Sequence, residues 1–186
     1  MNKTEFQKQF TELTDIPENR FHPLVWLGGE PEIGENVYIG GMSEVYAKGA
    51  RVVIGDNCDI ASFVSINCSD SHKRCIGITD DVKRQDIIIE HNVYIGTQCF
   101  IGGGVHIGHH SVVGAGTIVR EGVYPPYSLI IGNPAIVKPG YYEEKMRGGE
   151  NRLLLEICRS PDSGWFWCRD IIALQWIEKI HTGNCY

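Results

Sequence analysis

The sequence predicts an all-β solenoid, in which short parallel strands coil into stacked turns. Two observations carry this prediction. Aliphatic residues recur at a step of six through Ile89, Ile95, Ile101, Ile107, Val113 and Val119, and the series is expected to resume past Pro125 at Ile131 and Val137. Glycine is also abundant, 22 of 186 residues, against a typical share of about 7%. Four of these glycines directly follow Ile95, Ile101, Ile107 and Val113, where each is expected to permit a tight corner. A small or apolar residue stands four places after each anchor, at Val93, Cys99, Val105, Ser111 and Thr117. A weaker copy runs through Leu27, Ile33, Ile39 and Val45, then through Ile54, Ile60 and Ile66, with a step of nine between the two sets. A six-residue period fits neither an α-helix nor a plain alternating strand. It fits a hexapeptide solenoid with the aliphatic anchors pointing inward. With three hexads to a triangular turn, residues 18 apart stack at about one strand spacing.

The remaining elements follow in chain order. Residues 1–26 read as a helical cap and lead-in, with Phe6, Phe10 and Leu13 on one face and Thr4 with Gln7 as a capping box. Residues 27–138 form the solenoid. Within them, residues 73–86 (KRCIGITDDVKRQD) are polar and break the count, so they predict a loop thrown out from the coil, a common seat of function. Residues 139–186 read as a helical extension, with helices over 141–158 and 165–180 broken at Ser160-Pro161-Asp162-Ser163-Gly164. Trp165, Trp167, Ile171, Ile172, Leu174, Trp176 and Ile177 give the second helix an apolar surface expected to pack on the solenoid or on a neighbouring subunit.

Composition removes several function classes. The formal charge of −6 and the absence of a long basic run argue against nucleic acid or an anionic membrane as partner. No apolar stretch reaches the ~18 residues of a membrane-spanning helix, and the polar start MNKTEFQKQF is unlike a signal peptide. Seven cysteines without a C-x-x-C pair suit a reducing, cytoplasmic compartment. Cys58 and Cys99 fall on small inward positions and read as core, whereas Cys75 lies on the loop.

The hexads, together with Ser69-Asp70-Ser71-His72, Asn92-Val93-Tyr94-Ile95-Gly96, Gly114-Ala115-Gly116 and Gly132-Asn133-Pro134-Ala135, resemble the left-handed β-helix acyltransferases across residues 27–138. The spacing from Ile54-Gly55-Asp56-Asn57 to His72, and the final Gly-Asn-Pro-Ala, are similar to those of sugar and polysaccharide O-acetyltransferases. The resemblance implies acetyl-CoA as cosubstrate, a sugar-type acceptor, and a homotrimer with its sites between subunits. It also implies His72 as the catalytic base. Histidine suits the task because its ordinary pKa lies near neutrality. Asp70 is positioned to hold the other ring nitrogen or to bind the acceptor.

For the donor, the resemblance carries pantetheine contacts to Thr97 and Ala115, and the nucleotide end to Asn133, Pro134 and Ala135. The family commonly has Lys or Arg after that Pro-Ala; Ile136 stands here, leaving Lys138 or Arg120 to supply the charge. Tyr94 occupies a place where the resembling enzymes usually have Trp, and with Tyr46 and Asp70 it is a candidate acceptor contact. A loop histidine without a role, a surface tyrosine and a simple Gly-Asn-Pro turn are the plainer alternatives.

Two other functions remain open at this point. An antibiotic or amino-sugar acceptor suits the same scaffold. A metal-dependent hydratase like the solenoid carbonic anhydrases needs three convergent imidazoles. His91 and His109 are 18 apart and should stack, with His106 and His110 nearby. The carbonic anhydrase pattern pairs two ligands five apart, whereas His109 and His110 follow His106 by three and four, so solenoid-face histidines and no metal are expected.

Overall fold

A computed structural model of the chain describes residues 2–14, 18–21 and 23–147. The helices expected over 141–158 and 165–180 lie outside the described residues, apart from a short helical segment, Glu143–Arg147. The solenoid is present and three-sided. Its first face stacks Trp26–Gly28, Glu44–Tyr46, Ser65–Asn67, Phe100–Gly102 and Ile118–Val119. The second stacks Glu32–Ile33, Val52–Ile54, Ile87–Ile89, Val105–Ile107 and Gly122–Tyr124. The third stacks Tyr38–Ile39, Asp59–Ile60, Tyr94–Ile95, Val112–Val113 and Leu129–Ile131. All of these pairings are parallel, and each short strand buries its inner side only because a turn lies above or below it.

Register follows the sequence spacing. On the first face the partners Trp26, Glu44, Ser65, Phe100 and Ile118 are 18, 21, 35 and 18 residues apart. The 21 contains the nine-residue step at Val45, and the 35 contains the extruded segment. Ile89, Ile95, Ile101, Ile107, Val113 and Val119 are all fully buried, as are Cys58 and Cys99 to within 2%. Leu27 and Ile33, in the first turn, are only half-buried.

Several expectations need correction. Val119 is followed inward by Tyr124, a step of five, because Arg120-Glu121 spans a corner that Gly102-Gly103-Gly104 spans in the turn beneath. The core residue of the last turn is therefore Ile130, paired with Val113, rather than Ile131. Val137 does not continue the coil. The turn at Gly132–Ala135 reverses the chain, and Ile136–Lys138 runs antiparallel along Leu129–Ile131 with Val137 opposite Ile130.

The N-terminal helix, Lys3–Thr14, is capped by Asn2 and Glu5, each accepting the other's backbone N–H at 2.9 Å, and not by Thr4 with Gln7. Its Phe6 and Phe10 rings stack, but Leu13 is 85% exposed. The extruded segment starts at Ser69, earlier than the sequence count suggests. Ser69–Asp70 pairs antiparallel with Lys83–Arg84, and a single helical turn, His72–Cys75, follows the first of these strands.

The glycines after the anchors serve a different purpose from the one expected. Gly96 does not turn the corner with a positive φ. A Cβ on it would stand 2.6 Å from the Ala115 backbone nitrogen of the next turn, so its role is close approach between coils. The left-handed corner positions are filled instead by residues three places before each anchor, such as Asn36, Asn57, Asn92 and His110.

Candidate functional site

The three faces meet at three edges, and the candidate residues divide among them. Segments 29–31, 47–51, 68–86, 103–104 and 120–121 join the first face to the second. Segments 34–37, 55–58, 90–93, 108–111 and 125–128 join the second to the third. Segments 40–43, 61–64, 96–99, 114–117 and 132–135 lie between the third and the first.

His72 and Asp70 stand on the first edge, at the root of the extruded segment. Asn67 Oδ1 accepts the Ser69 N–H at 2.9 Å and turns the chain out of the coil. Asp70 Oδ1 then accepts the His72 backbone N–H at 3.0 Å and lies 2.5 Å from the His72 Nδ1. An aspartate two residues before the ring thus fixes both the backbone and the imidazole. A carboxylate at Nδ1 selects the tautomer with the proton on that nitrogen and leaves Nε2 with a free lone pair. The backbone N–H and ring of His72 hold the Asp70 carboxyl below the usual carboxylate range, so it is ionised at neutral pH. Both side chains are exposed, which leaves the base open to a substrate.

The root is clamped to the coil. Glu121 accepts from Lys83 Nζ and from Gln85 Nε2, both at 2.9 Å, and Arg84 Nε donates to the Lys48 carbonyl at 3.1 Å. The Lys83 ammonium first, and the Gln85 amide second, hold the Glu121 carboxyl below its ordinary value. Tyr46 ends the first-face strand that leads into this edge. It is in register with Asn67, its carbonyl accepts the Cys68 N–H at 3.2 Å, and its ring meets Trp26 edge-on at 6.1 Å.

The donor candidates share the edge between the third and first faces. Thr97 Oγ1 donates to the Ser62 carbonyl at 2.7 Å, and the Thr97 carbonyl accepts the Gly116 N–H at 2.9 Å, next to Ala115. One turn further, the Ile118 N–H reaches the Gly132 carbonyl at 3.1 Å, next to Asn133, Pro134 and Ala135. Residues scattered over 39 positions of sequence therefore line one edge.

Other candidates fall elsewhere. Tyr94 lies on the third face in register with Asp59 and Val112. Arg120 is on the first edge beside Glu121, on a different edge from Asn133. Lys138 is exposed on the returning strand, its ammonium 5.8 Å from the centre of the Tyr141 ring.

On the remaining edge three histidines come together. His91 and His109 stack with ring centres 5.0 Å apart, as their 18-residue spacing predicts, but His110 joins them, its Nδ1 2.9 Å from that of His109. The signal available in the sequence was the second histidine of the His109-His110 pair. Burial first, and the neighbouring imidazoles second, hold His110 below the usual histidine range.

Comparisons with known proteins agree with this architecture. The hexapeptide repeat of succinyl-transferase matches residues 32–68 and 86–121, the blocks on either side of the extruded segment. A galactoside acetyltransferase in complex with coenzyme A is 28% identical, with 78% of this chain and 76% of that chain covered and a TM-score of 0.60. The polySia-specific acetyltransferase NeuO is 34% identical with a TM-score of 0.53, over 59% of this chain and 52% of its own. AntD, an N-acyltransferase from Bacillus cereus in complex with dTDP and 3-hydroxybutyryl-CoA, is 20% identical over 84% of this chain and 99% of its own, with a TM-score of 0.52; it shares the fold. No curated protein matches the sequence. The repeat and the three-sided stack define a left-handed β-helix of hexapeptide repeats. The chain therefore carries hexapeptide repeats of the succinyl-transferase type, and acetyltransferases are among the solved structures it resembles. Among the described residues, no helix is long and apolar enough to cross a membrane.

Proposed function

We propose that the chain is an acetyl-CoA-dependent O-acetyltransferase acting on a hydroxyl of a sugar or of a polysaccharide or glycolipid precursor. The observation that carries the reading is the Asp70–His72 pair, with Nδ1 held at 2.5 Å and Nε2 free, at the root of the extruded segment. His72 Nε2 takes the acceptor's hydroxyl proton as its oxygen attacks the thioester carbonyl. The tetrahedral adduct collapses with loss of the CoA thiolate, which takes the proton back from the imidazolium. Asp70 stays ionised and steadies the charge that His72 acquires. Thr97, Ala115 and Asn133 to Ala135 supply an edge along which an extended donor arm approaches the backbone.

The edge assignment supports a site shared between subunits. Within one chain the first face separates His72 from the Thr97–Ala115–Asn133 edge. Transfer needs both at one thioester, and a neighbouring copy in a closed cyclic trimer supplies the second edge. Tyr46 stands on the first face next to the His72 edge and Tyr94 on the third face next to the donor edge, so in such a trimer the two acceptor contacts would come from different subunits. The coenzyme A bound to the galactoside acetyltransferase supports the donor.

The test is acceptor-dependent release of free thiol from acetyl-CoA, over a panel of glycosides and amino sugars. His72→Ala is expected to lose about 10²–10⁴-fold in turnover while acetyl-CoA still raises its melting temperature. Full turnover in His72→Ala, or no thermal response to acetyl-CoA in either protein, overturns the assignment.

A further inference from the structure

The edge between the second and third faces carries a group of imidazoles that the transfer chemistry does not use. We propose that His91, His109 and His110 bind one divalent late transition-metal ion of the zinc type, which pins two successive turns of the solenoid together. One nitrogen from each of the three rings lies within 4.8 Å of the other two. His109 Nδ1 and His110 Nδ1 are already 2.9 Å apart. Two nitrogens on a tetrahedral zinc, each ~2.0–2.1 Å from the metal, stand about 3.3 Å apart, so the His109–His110 pair needs a shift of a few tenths of an ångström and His91 closes by up to about 1.5 Å through side-chain rotation. Imidazole is a favoured ligand for zinc, nickel and copper, and three of them leave a fourth position for water.

The surroundings hold these rings in place. Glu90 accepts the His109 backbone N–H with Oε2 at 2.9 Å, while its Oε1 lies 2.8 Å from His106 Nε2. The His110 N–H reaches the His91 carbonyl at 3.3 Å, and the Tyr127 N–H reaches the His109 carbonyl at 2.9 Å. The Tyr127 ring stacks on His110 with centres 5.2 Å apart. The Asn92 amide lies 3.2 Å from His110 Nε2. With the metal on Nδ1, Nε2 carries the proton and donates to the Asn92 amide oxygen once the amide is turned over, and such support behind a metal-bound imidazole is the general pattern. Without a metal, the two facing Nδ1 atoms share at most one hydrogen bond.

This edge is distinct from the one bearing His72, so the site stands or falls independently of the transfer reading. The experiment uses the full chain without a polyhistidine tag, stripped by chelator, and titrated with Co(II) and then Zn(II). The expected result is one ion per chain, with the strong visible bands of tetrahedral Co(II) and a melting temperature raised by Zn(II). His91→Asn, an exposed position, and His109→Gln are each expected to weaken Zn(II) binding by more than the ~10–100-fold that loss of an outer partner costs. Absence of binding, unchanged affinity in His91→Asn, or sulfur-to-cobalt charge-transfer bands in place of a nitrogen site overturns the proposal.

Discussion

Ile95 sits midway along the third face, fully buried and in register with Ile60 on one side and Val113 on the other. Its replacement by alanine removes three buried carbons. At about 0.8 kcal/mol per carbon the lost transfer energy is ~2.4 kcal/mol. The void left between two rigid turns adds up to ~2 kcal/mol, at roughly 24 cal/mol per Å³ of unfilled space. Ile95→Ala should therefore cost about 2.5–4.5 kcal/mol. For a chain of this size each kcal/mol lowers the melting temperature by about 2–4 °C, so a mid-range loss corresponds to roughly 7–14 °C. The matched control is Leu27→Ala. Leu27 is half-buried in the first turn, with a strand partner, Val45, on one side only, and its loss should cost about 1 kcal/mol. Urea unfolding followed by far-UV circular dichroism, at one fixed protein concentration because assembly shifts apparent stability, gives both values. Equal losses at the two positions, or a loss below ~1 kcal/mol at Ile95, would refute a core built by stacking.

Gly96→Ala places a methyl 2.6 Å from the Ala115 nitrogen and should destabilise by ~1–3 kcal/mol in the same assay; a neutral result would mean that close approach is not what the glycine serves. Burial pushes the Cys58 thiol up to about 11, whereas Cys75 is exposed, so iodoacetamide at mildly alkaline pH should label Cys75 and spare Cys58 until the chain unfolds. Peptide mass mapping reads this, and early labelling of Cys58 contradicts it. Because the Glu121 carboxyl is held low, its clamp on Lys83 and Gln85 is in place above the ordinary glutamate value of ~4.3 and is lost as pH falls through the lower folded value. Hydrogen exchange in residues 69–86 should accelerate on that acid side, and Glu121→Gln should abolish the transition; a transition that survives in the variant assigns it to another group.

The period of six was legible without coordinates because each hexad carries its own instruction, an aliphatic side chain that must leave water and a small residue that fits the corner. That is why the whole series from Ile89 to Val119 is buried as read, and why the break after Ile66 located the extruded segment. The Asp70–His72 contact was equally local, since only two peptide units separate the carboxylate-bearing and ring-bearing residues. The end of the stack was not legible. A corner shorter by one residue at Arg120-Glu121 moved the anchor from Ile131 to Ile130, and a reversal at Gly132 turned Val137 back along the last strand.

By itself, then, the sequence determined the class of fold, the core up to Val119 and the pairing of Asp70 with His72, because these depend on spacing within one or two hexads. Tertiary structure alone decided which edge each group occupies. Whether Thr97, Ala115 and Asn133 share an edge, whether Arg120 joins them, and whether His110 turns in beside His91 and His109 all depend on the summed lengths of the intervening turns and on the left-handed backbone of the corners. A corner that gains or loses residues shifts the number of every anchor after it while the faces stay stacked, and no local pattern records that shift.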